Sequence, residues 1–422
     1  MYSALNPAAL RGQREVLAQD QARPRVARTV FLLGLTSLFT DISSEMVVTV
    51  LPLYLVAVGG FSPLAFGVID GIYNGATAVI RLAAGYVGDR RQRHKPVAAV
   101  GYGLSAVCKL LLVLVGTAVS AVGAVVFVDR VGKGIRTAPR DAMISLATPK
   151  AELGTAFGVH RAMDTVGAML GPLLAFALLA AAPLAFNTVF VVSFCLALVG
   201  LGVLVLFVQP REGASRGEAP ARPATLRGAA ALWRVPRFRA LALAGIALSL
   251  ATASDAFIFL ALQDEVDLGT SMFPLLFVGS AGAYMALAVP LGRLADRIGR
   301  GRVFLGGYAL LFAVYALLVA PVGGGWGLVA GALALLGAYY AATDGVLMAL
   351  GSTVVPDEIR GTGLALLGTA TSVARLVASL AFGALWTVWG IDTALAAFGI
   401  ALVAACAFAA VALRRTAEPA HA

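Results

Sequence analysis

Asp41 and Glu45 stand four residues apart in a run that is otherwise apolar or hydroxylated, Thr40-Asp41-Ile42-Ser43-Ser44-Glu45-Met46. At the helical period both carboxyls lie on one face. Two carboxyls that close cannot both ionise cheaply in a low dielectric, so the pair is suited to taking up and releasing a proton. The competing reading is a structural lock, with the pair neutralised by a cation from another helix. Other ionisable groups sit in equally apolar surroundings: Lys109, Asp129, Arg130, Arg161, Asp164, Asp255, Asp344 and Arg375, with Asp70 and Tyr73 as further candidates. Asp129, Lys133, Arg136 and Arg140 recur at helical spacing, a stripe that either lines a cavity or meets water. Arg136, Arg140 and Asp141 are expected near the surface, with a gating or structural part. Arg161 and Asp164, three apart, either pair with each other or meet a solute, and His160 is expected at the interface.

Charges carry this weight because of what surrounds them. The chain has 422 residues, 60% hydrophobic and 13% charged, and a mean hydropathy of +0.89. Soluble domains are roughly 45–50% apolar and 25% charged, so a water-soluble fold is excluded. A span of about 20 apolar residues crosses a bilayer core, and windows of that length place spans near 29–57, 63–86, 97–115, 119–147, 154–181 and 186–208, then 238–262, 272–293, 303–320, 325–350, 361–386 and 392–413. An ionisable group at that depth costs at least about 2.5–3.5 kcal/mol, which makes each one a functional candidate.

The net charge of +10 is a topological signal rather than a footprint for nucleic acid. Arg90, Arg91, Arg93 and Lys95, then Lys150, then Arg211 to Arg239, then Arg297, Arg300 and Arg302, then Arg360 all fall in even-numbered connections, and the odd-numbered ones hold no Lys or Arg. The positive-inside rule then puts both termini in the cytoplasm. The expected fold is an all-α integral membrane protein with twelve transmembrane helices in two pseudo-symmetric six-helix bundles. Residues 1–27 form a cytosolic arm, 28–208 the first bundle, 209–237 a cytoplasmic linker rich in Arg, Pro, Gly and Ala, 238–413 the second bundle and 414–422 a cytosolic tail.

Duplication supports the two bundles. Gly85-x-x-x-Asp89-Arg90 follows the second span and Gly292-x-x-x-Asp296-Arg297 the eighth; the aspartates are 207 residues apart, and the same offset relates Pro149, Gly154 and Thr155 to Pro356, Gly361 and Thr362. Halves repeated in one orientation are the parallel arrangement of a large carrier class. Glycine allows two helix ends to approach, while Asp and Arg grip a neighbouring end, so these loops are expected to hold the cytoplasmic ends together and release them when the halves rock.

At these residues the chain resembles the major facilitator superfamily, whose hallmark is the G-x-x-x-D-R loop with trailing basic residues. The resemblance runs from Arg28 to Arg415. It includes Arg130-x-x-x-Gly134 and Gly167-x-x-x-Gly171-Pro172; the latter looks like part of the motif of proton-coupled antiporters that export drugs, although Leu173, Leu174 and Ala175 follow where that motif continues with glycines. The first loop has Arg91-Gln92 where a glycine is usual, and Asp41-Ile-Ser-Ser-Glu45-Met46 resembles a prokaryotic branch. The resemblance implies secondary active transport by alternating access. Proton-coupled export of a small solute or drug-like compound is one reading; uptake or efflux of a polar or anionic metabolite, by symport or facilitated diffusion, is the other. Gly167, Gly171 and Pro172 are also expected to pack helices closely.

Metalloprotease, serine-hydrolase and P-loop motifs do not occur, so neither an enzyme nor ATP-driven transport is expected. Cys108, Cys195 and Cys406 sit singly in apolar spans without metal spacing, and no metal or cofactor is expected. The partners implied are a small-molecule or ion substrate and the lipid bilayer, with no nucleic acid; the chain is expected to be a monomer in the inner or plasma membrane.

Overall fold

The computed structural model describes residues 27–76, 94–149, 152–209, 232–320, 325–344, 346–355 and 360–417. Hydrocarbon offers no hydrogen bonds to an open backbone, so an apolar chain of this kind satisfies its peptide groups within helices. Among the described residues there are helices and no strands.

Helix α1 spans Arg28–Leu53 and runs into a π-helical turn, Tyr54–Val58, just after Pro52. Helix α2 is described over 63–76. Then come α3 (His94–Val115), α4 (Val119–Leu146), α5 (Leu153–Ala181) and α6 (Phe186–Phe207). The remaining helices are α7 (Pro236–Leu250), α8 (Asp255–Val266), α9 (Phe273–Ile298), α10 (Arg300–Val319), α11 (Trp326–Thr343), α12 (Val346–Val354), α13 (Arg360–Trp389) and α14 (Ile391–Ala417). Taking α7 with α8, and α11 with α12, as single crossings, ten segments among the described residues are long and apolar enough to span a membrane. The chain is thus a multi-pass membrane protein. Helix α4 falls outside the ten because it carries Asp129, Arg130, Lys133, Arg136, Arg140 and Asp141 along its length.

In the amino-terminal part α1 packs on α5 and α6, and α3 on α4 and α6; in the carboxy-terminal part α9 packs on α11, α10 on α11 and α14, and α7 on α13 and α14. Fewer contacts join the two groups, chiefly α9 with α5 and α1. Near the 59–63 loop they are tied tightly. The Leu64 N–H donates to Thr387 Oγ1 at 2.9 Å, and Phe66 stands edge-on to Phe257 with ring centroids 5.0 Å apart. Phe257 in turn meets Phe382 and Trp386. A side chain at Gly67 would lie 2.6 Å from the Ser379 carbonyl, so only glycine lets α2 and α13 come this close.

Two expected spans are interrupted. The stretch 238–262 is α7 and α8 separated by 251–254, and the stretch 325–350 breaks around Asp344. At the first break Tyr315 replaces the missing helical bonds: its hydroxyl accepts from the Ala253 N–H at 2.8 Å and donates to the Ala251 carbonyl at 3.3 Å. Non-helical backbone at membrane depth is tolerated where it is buried in protein or borders a cavity.

Candidate functional site

The residues singled out by sequence fall into two regions. The first lies among α1, α3, α4 and α5. Asp129 of α4 accepts from Lys109 Nζ at 3.2 Å and from Arg130 Nε at 3.1 Å, with a second, shorter bond from the same guanidinium. Lys109 also donates to the Ser105 carbonyl at 3.1 Å, and Arg130 lies over the Tyr73 ring, 4.0 Å from its centroid. Lys109 is 3% and Arg130 4% exposed. Two cations bury safely here because one carboxylate bridges them and further acceptors complete their bonding.

Arg136, expected near the surface, is buried; it reaches Asp41 at 4.0 Å and stacks over Tyr102 at 4.8 Å. The stripe on α4 faces protein because α1 and α3 cover it. Arg140 pairs with Asp141 at 2.9 Å and reaches Asp164 at 3.8 Å. Asp164 therefore does not pair with Arg161, which is exposed. Its partners are Arg140 and His160 Nδ1, the latter at 3.4 Å. His160, expected at the interface, is buried, with Nε2 3.1 Å from Ser37 Oγ.

Asp41 thus has one long contact to a guanidinium. The Glu45 carboxylate has no hydrogen bond or ion pair to the described residues; the charges acting on it are Lys133 most strongly, then Asp41, Arg130 and Lys109. The small-residue run of α5 lies directly against this pair. A Cβ on Gly167 would sit 3.2 Å from Asp41 Cβ, and one on Gly171 would sit 2.7 Å from Glu45 Cβ and 2.8 Å from the Ile42 carbonyl. Pro172, next to Gly171, is buried in the same helix.

The second region is a cavity of about 160 Å³ bounded by α1 and α2 on one side and by 252–256, α9, α11 and α13 on the other. Asp70, Tyr73 and Asn74 face it from α2, and Ser254, Asp255, Tyr340 and Arg375 from the opposite wall. Asp70 accepts a short hydrogen bond from the Ser379 hydroxyl, a link from α2 to α13 across 309 residues of sequence. Asp255 opens α8, where the helix dipole favours a negative charge, and accepts from the Tyr340 hydroxyl at 2.5 Å. Ser254 Oγ is buried without a hydrogen bond to the described residues. Tyr73 joins the regions, since one face of its ring carries Arg130 and its edge borders the cavity.

Other expected residues lie elsewhere. Asp344 is exposed at the break after α11 and accepts from Tyr284 at 3.2 Å, away from the cavity. Gly292, Asp296 and Arg297 are exposed at the end of α9, where among the described residues Asp296 reaches Arg300, 3.6 Å away within its own sequence stretch. Gly85, Asp89 and Arg90 lie outside the described residues. Among the described residues no cluster of His, Cys, Asp and Glu suits a metal ion.

Ser379 and Tyr340 carried no sequence signal, since a hydroxyl in an apolar helix is ordinary. The break at 251–254 had one: Thr252-Ala253-Ser254-Asp255 is a small and polar run inside an otherwise apolar span.

A helical membrane protein with two packed groups of helices and a polar cavity between them has the build of a carrier. Residues 33–283 and 248–422 match the Major Facilitator Superfamily, and the chain belongs to that family of transporters. It is 32% identical over 373 residues to the MFS-type transporter MJ1317 of Methanocaldococcus jannaschii, covering 86% of this chain and 89% of that protein. Its fold is similar to the crystal structure of the nucleoside transporter NupG, with a TM-score of 0.74 at 15% identity, covering 93% of this chain and 100% of NupG. It is also similar to a POT family transporter crystallised with 5-aminolevulinic acid, with a TM-score of 0.76 at 12% identity, covering 93% and 97%. These two likenesses speak for the fold alone.

Proposed function

We propose that this family member is a secondary active transporter of twelve spans, in six-helix bundles of residues 28–208 and 238–413, that works by alternating access in the inner or plasma membrane as a monomer. The observation that carries the reading is the polar cavity between the two helix groups, with Phe66, Phe257, Phe382 and Trp386 packed together near the 59–63 loop while Gly292, Asp296 and Arg297 stand exposed at the end of α9; we take the aromatic cluster as the sealed end. With the Arg-rich connections cytoplasmic, the sealed end is extracellular and the described arrangement is the inward-facing one. In the opposite arrangement Asp89 and Asp296 hold the cytoplasmic ends together.

Proton coupling resides in Asp41 and Glu45. Lys109 and Arg130 are committed to Asp129, Asp41 has one long contact, to Arg136 at 4.0 Å, and among the described residues Glu45 has no hydrogen-bonded partner, Lys133 being the cation that acts on it most strongly. Protonation favours one arrangement and deprotonation the other. The glycines of α5 against Asp41 and Glu45 let a proton-dependent shift of α1 pass to a neighbour. The cargo is a small solute or drug-like compound, exported against protons. The test is gradient-driven transport in proteoliposomes: Asp41→Asn and Glu45→Gln abolish uphill accumulation while sparing folding and exchange, and wild-type uphill transport in both amides excludes the pair.

A second reading, movement of a polar or anionic metabolite, is favoured by Arg375, which borders the cavity without an ion pair to the described residues. Export and uptake are separated by the sign of the pH gradient that drives accumulation.

A further inference from the structure

Among the described residues the cavity between the helix groups is lined by three acidic or basic side chains, and none of them is in an ion pair with a described residue. Asp70 is bonded to the Ser379 hydroxyl and Asp255 to the Tyr340 hydroxyl; neither has a described Lys, Arg or His within ion-pair distance. Arg375 borders the same space, close enough to act electrostatically on Asp255 and three tyrosines but forming no salt bridge to a described residue. By contrast Lys109, Arg130, Arg136 and Arg140 each reach a carboxylate within 4.0 Å. A partly buried charge without an ion-pair partner is costly, and in this cavity both signs border one space.

A solute with only an amine leaves the guanidinium uncompensated, and one with only an acid leaves both carboxylates so. A solute carrying an ammonium group and a separate anionic group compensates both walls at once, with three ammonium donors for carboxyl oxygens and a bidentate acceptor for the guanidinium. A volume of about 160 Å³ has room for a molecule of amino-acid size.

We propose that the cavity selects a small zwitterion, its primary ammonium group set between Asp70 and Asp255 and its anionic group held by Arg375. This rests on the transporter reading and narrows its cargo. The zwitterion bridges α2, on one side of the cavity, to α8 and α13 on the other, so a bound solute draws on both helix groups. Arg375 sets the anionic end and Asp255, held by Tyr340, the cationic end.

The test uses the full chain in lipid nanodiscs and thermal unfolding across the twenty proteinogenic amino acids and 4-aminobutyrate, each beside its decarboxylated amine and its deaminated acid. A compound that binds the folded state raises the midpoint by mass action. At least one zwitterion is expected to raise it by several degrees where its matched amine and acid do not. Asp255→Asn and Arg375→Gln each weaken that zwitterion tenfold or more, and Arg375→Lys restores part of the loss. Monodisperse elution of each variant certifies folding; should Asp255→Asn fail to fold, Tyr340→Phe replaces it, with a smaller loss expected. A matched amine or acid that stabilises as well as the zwitterion overturns the proposal, as does a panel in which no amino acid shifts the midpoint. Those results leave the transporter reading standing so long as the two ends of the protein still open and close in turn; absence of that movement brings down both.

Discussion

The Asp129 cluster and the interhelix cavity lie on opposite sides of Tyr73, and both place charge at membrane depth, yet they treat it differently. At Asp129 two cations are matched: Lys109 and Arg130 share its carboxylate, and a backbone carbonyl and an aromatic face take up what remains. In the cavity, among the described residues, the Asp70 and Asp255 carboxylates are bonded to hydroxyls, and Arg375 has no ion pair. Matched charges stay neutralised whichever way the halves lean, so they hold one bundle together. Charges left open to a cavity are available to whatever enters it. Depth in the membrane alone is thus a weak guide to function; what matters is whether the counter-charge is built in.

The comparison breaks most visibly at Asp129. Asp129→Ala strands two buried cations, and removing one partner of a buried pair costs about 3–5 kcal/mol. The expected outcome is loss of monodisperse protein on size-exclusion chromatography, while Asp255→Asn elutes normally. Normal elution of both would erase the distinction between the regions.

The contact of α5 with α1 comes next. Gly171→Val forces a branched side chain into a gap where even a Cβ meets the Ile42 carbonyl at 2.8 Å, and overpacking of this kind costs about 1–3 kcal/mol. A lowered thermal midpoint is expected, together with altered proton coupling because Glu45 is displaced. An unchanged midpoint would mean that α5 does not press on this pair.

Smaller again is Tyr340→Phe, which removes one hydrogen bond to Asp255 at about 0.5–1.5 kcal/mol, with charge at the acceptor favouring the upper end. Stability should fall slightly and solute affinity by up to about tenfold; loss of stability alone would place Asp255 in the scaffold. The smallest folding effect is expected at Asp296, 70% exposed, where Asp296→Asn changes stability by no more than about 0.5 kcal/mol. Its expected effect is on the balance of inward and outward arrangements, read from spin-label distances across the cytoplasmic ends.

Much of the scaffold was legible because hydrophobic length is a property of the chain itself. Runs such as 186–208 and 392–413 contain almost nothing but apolar and small residues, and they correspond to α6 and α14. The breaks at 251–254 and at Asp344 leave little trace in the sequence, since mean hydropathy does not register a few small polar residues and Tyr315, which stabilises the first, comes from another helix. Charge pairing was harder still. Spacing proposes partners on the same helix, as for Arg161 and Asp164, but the neighbouring α4 brings Arg140 to Asp164 and leaves Arg161 exposed. Likewise the α4 stripe fits a wet face or a buried one equally well until α1 and α3 are placed over it. Asp70 stood out as a buried acid, but its link to Ser379 joins residues 309 apart and leaves no periodic trace.

The central claim is that the sealed end and the open end exchange roles around the cavity. It is tested most directly by electron–electron distance measurements on two spin-label pairs in nanodiscs, Ser62 with Trp389 at the sealed end and Thr155 with Arg297 at the other. Across a pH titration and with a stabilising solute present, the account predicts that one distance distribution lengthens as the other shortens. Two distributions that stay fixed under every condition, or that lengthen and shorten together, would contradict it.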